Sequence, residues 1–367
     1  MKKRIAVLGA TGSIGKSAVD IISRNKEIFE PVLFGAHSNK DELENLSAQW
    51  PSASCVLSGE TGGKEKLIQA IKDAEADITI NGISGGAGFE PSLAAIEAGS
   101  DLALANKETI VMAGELVFRM AKEKNIKIIP VDSEHSAIFN LINAHGGQNN
   151  SAVSEIILTA SGGPFLKLSI KEMKKVTVQD ALAHPTWKMG PKITIDSATM
   201  ANKGLEIIEA HFLFNMPREK IKVIIHPQSI VHSMVKLCNG VIYAQLSNPD
   251  MRSPIHDALF WPKTSALNLD PLNFDSLTLE FEKPDTQKFP MLDLAWEAVK
   301  KGGLYPCAYN AANEEAVAAF LGKRIGFLDI PRITSYVLEK NWTCTSIDKQ
   351  IILAADIDAR KLANCGI

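Results

Sequence analysis

The sequence predicts an α/β protein built in parts: an N-terminal doubly wound parallel sheet, a central α+β domain, and a small helical domain at the C-terminus. Three observations predict it. Short apolar runs alternate with amphipathic helical patterns through the first third, as parallel βαβ units require. A glycine-rich turn joins the first run to the first helical pattern. Beyond residue 290 only helical periodicities remain. The 367 residues allow two or three domains with cores of their own. The expected boundaries are 1–131, 132–265, a linker over 266–290 that is rich in Pro, Asp and Asn, and 291–367.

Arg4 to Leu8 is a short apolar strand, followed at once by Gly9-Ala10-Thr11-Gly12-Ser13-Ile14-Gly15 and a helix pattern through Ala18, Val19, Ile21 and Ile22. Glycines permit a tight turn and close approach of a pyrophosphate. The helix N-terminus offers it unpaired N–H groups and a partial positive charge. Strand, turn and helix together predict a Rossmann-like dinucleotide site. The second strand, Pro31 to Gly35, ends in Ala36-His37-Ser38-Asn39-Lys40. No carboxylate stands there to hold a ribose hydroxyl, and the polar and basic groups suit a 2′-phosphate, so the reading is NADP over NAD.

The alternation continues with a helix over Glu65–Ala74, a strand over Ala76–Asn81 and a helix over Pro91–Ala98. A strand over Asp101–Ala105 and a helix over Glu108–Lys122 follow. A second glycine-rich turn, Gly82 to Gly88, and the polar strand end Asn106-Lys107-Glu108 serve equally as cleft walls or plain connections. The last strand, Ile126 to Val131, runs into Asp132-Ser133-Glu134-His135. Side chains two apart on a strand share a face. Asp132 and Glu134 are therefore expected to aim two carboxylates at one point on the rim where such sheets bind ligands. Hard oxygen donors suit a divalent cation if a third arrives from elsewhere, and from these residues alone an acidic loop at a strand end is the plainer alternative.

Glu155 to Thr159 reads as a strand ending in Ala160-Ser161-Gly162-Gly163-Pro164, either a turn or an anion-binding one. His184-Pro185-Thr186-Trp187-Lys188-Met189-Gly190-Pro191 places Trp and Met between helix breakers. A lid and a loop anchored by a buried Trp both fit. Asp196 to Gly204 leads into an apolar helix over Leu205–Phe214. Ser197, Asn202 and Lys203 there make a phosphate cradle with free N–H groups. Glu206 and Glu209 both lie in the first turns, and spacing does not choose between them as a third metal ligand. Val223–Ile225 and Gly240–Leu246 read as strands with His226-Pro227-Gln228-Ser229 between them. Asn248 to Pro254 reads as a Pro-bounded loop. Helical patterns follow at Leu292–Lys301, Ala308–Leu321, Ile330–Glu339 and Ile347–Ala363.

Composition bounds the function. A net charge of -3 argues for neither a nucleic-acid nor a membrane surface. No run approaches the ~18 apolar residues of a membrane span. Met1-Lys2-Lys3-Arg4 before Ile5–Leu8 has the outline of a signal peptide, but the run is too short and ends in glycines. The five scattered Cys include no CxxC pair, which points to a reducing, cytoplasmic setting.

Taken together, Gly9–Gly15, Asn106–Glu108, Asp132–Glu134, Ser161–Pro164, His184–Met189, Asp196–Glu206, His226–Ser229 and Pro249–Pro254 resemble the 1-deoxy-D-xylulose 5-phosphate reductoisomerase family. So do Gly302–Pro306 and Ala311–Glu314. The likeness runs through the whole chain in the family's order. The resemblance implies Asp132, Glu134 and Glu206 as ligands of a divalent cation, Mg²⁺ or Mn²⁺ with Co²⁺ as a further candidate. It implies that Ser133 contacts substrate and that Lys107 stands beside the reacting groups. Ser161, Ser197, Asn202 and Lys203 would hold a sugar phosphate. His184, Trp187 and Met189 would form a flap over 183–191. NADPH contacts are implied for Thr11, Gly12, Ser13, Ile14, Ala36, His37, Ser38, Asn39, Asn106, Lys107, Glu108, Gly190 and Met251. Family members often carry Lys or Arg where His37 stands. The implied reaction is an NADPH-dependent reductive isomerisation of the sugar phosphate, in a homodimer. Two rivals are weighed. A metal-free NADP-dependent semialdehyde dehydrogenase also opens with Gly-Ala-Thr-Gly, but it needs a nucleophilic Cys in a rim loop, and none has that setting. A non-catalytic NADP-sensing protein has no need of the carboxylates.

Overall fold

A computed structural model describes residues 1–147, 151–187 and 189–367. The chain divides into two compact units. The first comprises Met1–Thr109, Val117–Ser136 and Asp250–Leu269, and the second Ile110–Leu116, Ala137–Pro249 and Asp270–Ile367. Residues 250–269 thus return to the first unit, while 291–367 stands with the second.

The strands of the first unit are β1 (Lys3–Leu8), β2 (Phe29–Ala36), β3 (Ser54–Leu57), β4 (Ile78–Asn81), β5 (Asp101–Leu104) and β6 (Ile128–Pro130). They are joined by α1 (Ser13–Arg24), α2 (Lys40–Gln49), α3 (Gly63–Asp73), α4 (Phe89–Glu97) and α5 (Lys107–Lys124). The sheet order is β3-β2-β1-β4-β5-β6, and every pairing is parallel. Strand order reverses at β1, so the cleft past the carboxyl ends of β1 and β4 is the place for a ligand. Ile5, Ala6, Val7 and Leu8 are fully buried, as a strand covered on both faces must be.

A helix, α6 (Ser133–Ala144), begins where the last strand was expected to carry its carboxylates. Asp132 occupies its N-cap: Oδ1 accepts the N–H groups of Glu134 (3.0 Å) and His135 (3.2 Å). The strand-alternation argument for Asp132 and Glu134 therefore fails. Strand pairing stops at Pro130, and the acceptor side chain at 132 turns the chain into a helix.

The second unit holds a mixed sheet of β7 (Val153–Ala160), β8 (Ile221–Ile225), β9 (Val231–Leu237) and β10 (Ile242–Leu246), in the order β10-β9-β7-β8. β9 was not expected. It is antiparallel to both its neighbours, and its buried His232 and Ser233 break the apolar run that marks a strand in sequence. Around the sheet lie α7 (Ile170–Met173), α8 (Val178–Leu182), α9 (Pro191–Ala198) and α10 (Ala201–Leu213).

The expected loop at Asn248–Pro254 runs into a helix of the first unit, α11 (Arg252–Phe260). Its Pro254 lies in the first turn, where the missing N–H costs nothing. The C-terminal helices are α12 (Met291–Lys301), α13 (Tyr305–Leu321), α14 (Asp329–Leu338) and α15 (Lys349–Gly366). The segment read as a linker is tied to β8: Ile225 and Glu282 exchange backbone hydrogen bonds at 2.8 and 2.9 Å. No described helix is long and apolar enough to cross a membrane.

Candidate active site

In the first unit the glycine turn follows β1 directly. Gly9 adopts φ +76°, and a side chain there would run into the carbonyl of Gly82. Gly12 caps α1 without a side-chain acceptor, and the first turn carries no acid. The N–H groups of Ser13 and Ile14 thus face no competing carboxylate, which fits a pyrophosphate. At the end of β2, His37, Ser38 and Asn39 are exposed. Nδ1 of His37 lies 3.4 Å from Ser58 Oγ, and Asn39 Oδ1 caps α2 by accepting the N–H of Glu42.

Asn106 is buried, and its side chain is committed to the protein. Its Nδ2 donates to the carbonyls of Ile83 (2.6 Å) and Gly85 (2.8 Å) and to Glu108 Oε2 (3.0 Å). Its Oδ1 accepts from the N–H and hydroxyl of Thr109. Asn81 donates from the same side to Gly88 O and Ser92 Oγ. Together they fix the second glycine-rich turn against the start of α5, and so fix Lys107. The Lys107 ammonium donates to Asp132 Oδ2 at 2.8 Å, with both side chains largely buried. Oxygens of Asp132 and Glu134 lie within 4.8 Å of each other, and Ser133 Oγ donates to Glu134 Oε2. This oxygen-only donor set suits a hard divalent cation. His135, which the sequence reading left without a role, is fully buried, with Nδ1 3.2 Å from Asp132 Oδ1. Its i, i+3 spacing from Asp132 at a helix start was the available signal. Met251 stands at the N-cap of α11, beside Asp250. Burial would raise the Asp250 carboxyl, but the hydrogen bonds and charge of Arg252 hold it below its usual range.

In the second unit, β7 ends in Ala160, and Ser161 follows on a turn through Gly162 (φ +83°) and Gly163 (φ +68°). Nε2 of His184 lies 3.1 Å from Ser161 Oγ and 3.1 Å from Ser197 Oγ. Nδ1 of the same ring accepts the N–H groups of Thr186 (3.1 Å) and Trp187 (2.9 Å). The ring hydrogen of the neutral imidazole therefore sits on Nε2, facing the two hydroxyls. Burial pushes the His184 imidazole below its ordinary value. Trp187 and Met189 are half-buried; the Trp187 ring centroid lies 6.5 Å from that of His232. Lys188 of this loop is outside the described residues. Gly190 caps α9, with Pro191 in the first turn.

α9 ends at Ala198, and the chain passes through Thr199 and Met200 into α10. There Lys203 pairs with Glu206, and Asn202 Nδ2 donates to Glu206 Oε1 at 2.5 Å. Lys203 is 3% exposed and Glu206 fully buried. Glu209 is buried as well. Each unit thus gathers its own set: Lys107, Asp132, Ser133 and Glu134 in the first, and Ser161, His184, Ser197, Asn202, Lys203 and Glu206 in the second. The pairing of Asp196 with Asn313 at 2.7 Å was missed: both lie in segments that carry the family likeness, but 117 residues separate them and nothing in the sequence joins the two.

Comparison with known proteins adds the following. Residues 5–61 and 58–114 match the family described as 1-deoxy-D-xylulose 5-phosphate reductoisomerase. Residues 128–214 and 246–362 match two C-terminal domain families of the same enzyme. A protein of that name from Treponema denticola is 49% identical over 370 residues, covering 99% of this chain and 96% of its own length. One from Chlorobium chlorochromatii is 46% identical, covering 98% of each. The solved structure of the Zymomonas mobilis enzyme in complex with NADPH superposes with a TM-score of 0.90 at 41% identity, covering 100% of this chain and 99% of that one. A second structure, of a DOX-P reductoisomerase with NADPH, fosmidomycin and magnesium, gives 0.92 at 36% identity, covering 99% and 98%.

Proposed function

The chain belongs to the 1-deoxy-D-xylulose 5-phosphate reductoisomerase family, and from that premise we propose how its residues divide the work. The enzyme converts 1-deoxy-D-xylulose 5-phosphate to 2-C-methyl-D-erythritol 4-phosphate, using NADPH and a divalent metal, in non-mevalonate isoprenoid synthesis.

In our reading Asp132, Glu134 and Glu206 hold the cation. When bound, that cation supplies Lewis-acid polarisation of the substrate ketone and its neighbouring hydroxyl, and NADPH supplies the hydride that reduces the aldehyde formed by rearrangement. The observation that carries this reading is the set of Lys107, Asp132 and Glu134 at the carboxyl end of the dinucleotide-binding sheet. Lys107 keeps a proton at Nζ beside Asp132 and so beside the reacting groups. Ser161, Ser197, Asn202 and Lys203 hold the substrate phosphate, and His184 offers its Nε2–H to the same anion. Remote binding energy spent there positions the carbon skeleton. Trp187 and Met189 cover the substrate and exclude water. Thr11, Gly12, Ser13 and Ile14 cradle the pyrophosphate. Ala36, His37, Ser38 and Asn39 face the 2′-phosphate, while Gly190 and Met251 flank the nicotinamide. The committed side chain of Asn106 supports the cofactor wall from behind, with Glu108 as its acceptor.

The assembly we propose is a homodimer. The outer strand β10 supports it, since Ile242 and Tyr243, with Val241 just before them, are exposed on the edge of the second sheet. Five free cysteines support a cytoplasmic setting. The test is NADPH oxidation with the sugar phosphate, with and without chelator, in the wild type and in Asp132→Asn. Activity that survives chelation, or an Asp132→Asn enzyme that turns over normally, overturns the metal-site assignment.

A further inference from the structure

We infer that Asn313, on the C-terminal helix α13, is a positioning residue for the substrate phosphate. It holds Asp196 and thereby fixes the turn between α9 and α10 that presents Ser197, Asn202 and Lys203. The inference rests on the reading of those three as phosphate ligands.

The geometry is local to the second unit. Asp196 is 1% exposed. Its Oδ1 accepts from Asn313 Nδ2 at 2.7 Å, and its Oδ2 lies 2.9 Å from Lys192 Nζ, one turn earlier on α9. Asn313 is fully buried, and its own Oδ1 has no protein partner among the described residues. A well-packed apolar pair would fill the same space without an orphaned oxygen. What an apolar pair would not supply is a directional bond, which fixes the rotation and height of α9 against α13. Ser197 is the next residue, so its hydroxyl is set by that bond.

One turn earlier on the same face of α13 stands Tyr309, whose hydroxyl donates to Met291 O. It packs so closely on Gly204 that no side chain fits there. The same helix therefore braces the end of α9 through Asn313 and the first turn of α10 through Tyr309. Between them Met200 is buried with φ +63°, a conformation that persists only where the surroundings enforce it. The flap joins α9 directly at Pro191, so a fixed far end lets that loop move without dragging Ser197.

The test compares Asn313→Ala and Asn313→Ser with Lys203→Ala in the enzyme loaded with metal and NADPH. Inorganic phosphate is the probe, as a competitive inhibitor against the sugar phosphate. Asn313→Ala should raise the phosphate inhibition constant and the substrate KM together, by roughly 5- to 30-fold. The KM for NADPH should stay within about twofold. Asn313→Ser, which leaves a smaller void and keeps the chain folded if Ala does not, should shift the same two constants in the same direction. An unchanged phosphate constant in either folded variant, while Lys203→Ala weakens phosphate, overturns the inference alone. Equal losses for NADPH and phosphate overturn it in favour of a general packing role. A phosphate constant that Lys203→Ala leaves unchanged overturns the phosphate assignment itself, and the inference with it.

Discussion

Lys203→Ala separates the pairing of Lys203 with Glu206 from the phosphate contact proposed for the same ammonium. Lys203 is 3% exposed and ion-paired with Glu206, itself fully buried. Removing one partner of such a pair leaves an uncompensated buried charge and costs about 3–5 kcal/mol. Asn202 still donates to Glu206 Oε1, which places the loss toward the lower end. In the metal-free protein the variant should therefore unfold at clearly lower denaturant. Divalent metal should restore much of this. With the proposed ligand set, the cation shares Glu206 with Lys203 in the wild type and takes over the neutralisation outright in the variant. A cation at 100 times its Kd stabilises by about 2.7 kcal/mol through mass action, and a tighter Kd in the variant raises that figure. Catalysis behaves differently. Losing one charge-assisted contact to the substrate phosphate, worth ~1.5–3 kcal/mol, lowers kcat/KM roughly 10- to 150-fold, and metal does not repair it. The assays are urea unfolding with chelator and with saturating Mg²⁺, and steady-state kinetics. An unchanged kcat/KM clears Lys203 of phosphate binding. Equal stabilisation of wild type and variant by metal refutes the sharing of Glu206.

Three further outcomes are expected. Glu206→Gln should abolish most metal-dependent turnover while NADPH titrations stay normal; near-normal activity removes Glu206 from the ligand set. Trp187→Ala should lower kcat/KM by up to roughly 100-fold with little change in melting temperature, and a change confined to the melting temperature would make Trp187 a packing residue instead. Because burial depresses the folded-state value of His184, the unfolded chain binds its proton first as pH falls. The stability present above about pH 6.5 should therefore decline below it, until the folded form titrates too. His184→Gln should flatten that decline in urea midpoints measured from pH 7 downward, and an unaltered slope excludes His184 as its source.

Much of this architecture was legible before any coordinates, for reasons that also mark where legibility ends. The buried strands β1 and β5 carry continuous apolar runs, Ile5–Leu8 and Leu102–Leu104, and the turn after β1 is spelled out in glycine. β9 was missed because His232 and Ser233 are buried polar groups inside it, satisfied in part by His232 Nε2 to Ser247 Oγ at 2.8 Å; a period-two pattern does not anticipate such partners. α11 was read as a loop because prolines at 249 and 254 look like breakers, although a first-turn proline is compatible with a helix. α6 was hidden behind a strand argument, yet Asp132 followed by Ser-Glu-His is also a helix start. The Asp196–Asn313 bond had no sequence signal at all, since only folding brings those positions together.

The carboxylates proposed to bind metal also share an electrostatic design that sequence alone could not disclose. Asp132 is paired with Lys107 inside the first unit, and Glu206 with Lys203 inside the second. Two of the three carboxylates proposed to bind metal, Asp132 and Glu206, thus arrive already compensated by a lysine of their own unit. A bare cluster of buried carboxylates would repel itself and destabilise the fold until a cation arrived. Compensated ones let the chain fold first. The consequence for affinity follows directly. A cation held by the proposed ligands displaces or shares existing ion pairs, so its net Coulomb gain is smaller than three free carboxylates would provide. That favours an exchangeable, catalytic cation over a structural one, and it ties metal occupancy to the two lysines. Whatever draws Lys107 toward the reacting groups, or Lys203 toward the phosphate, frees a carboxylate for the metal, so substrate and cation should bind with positive coupling.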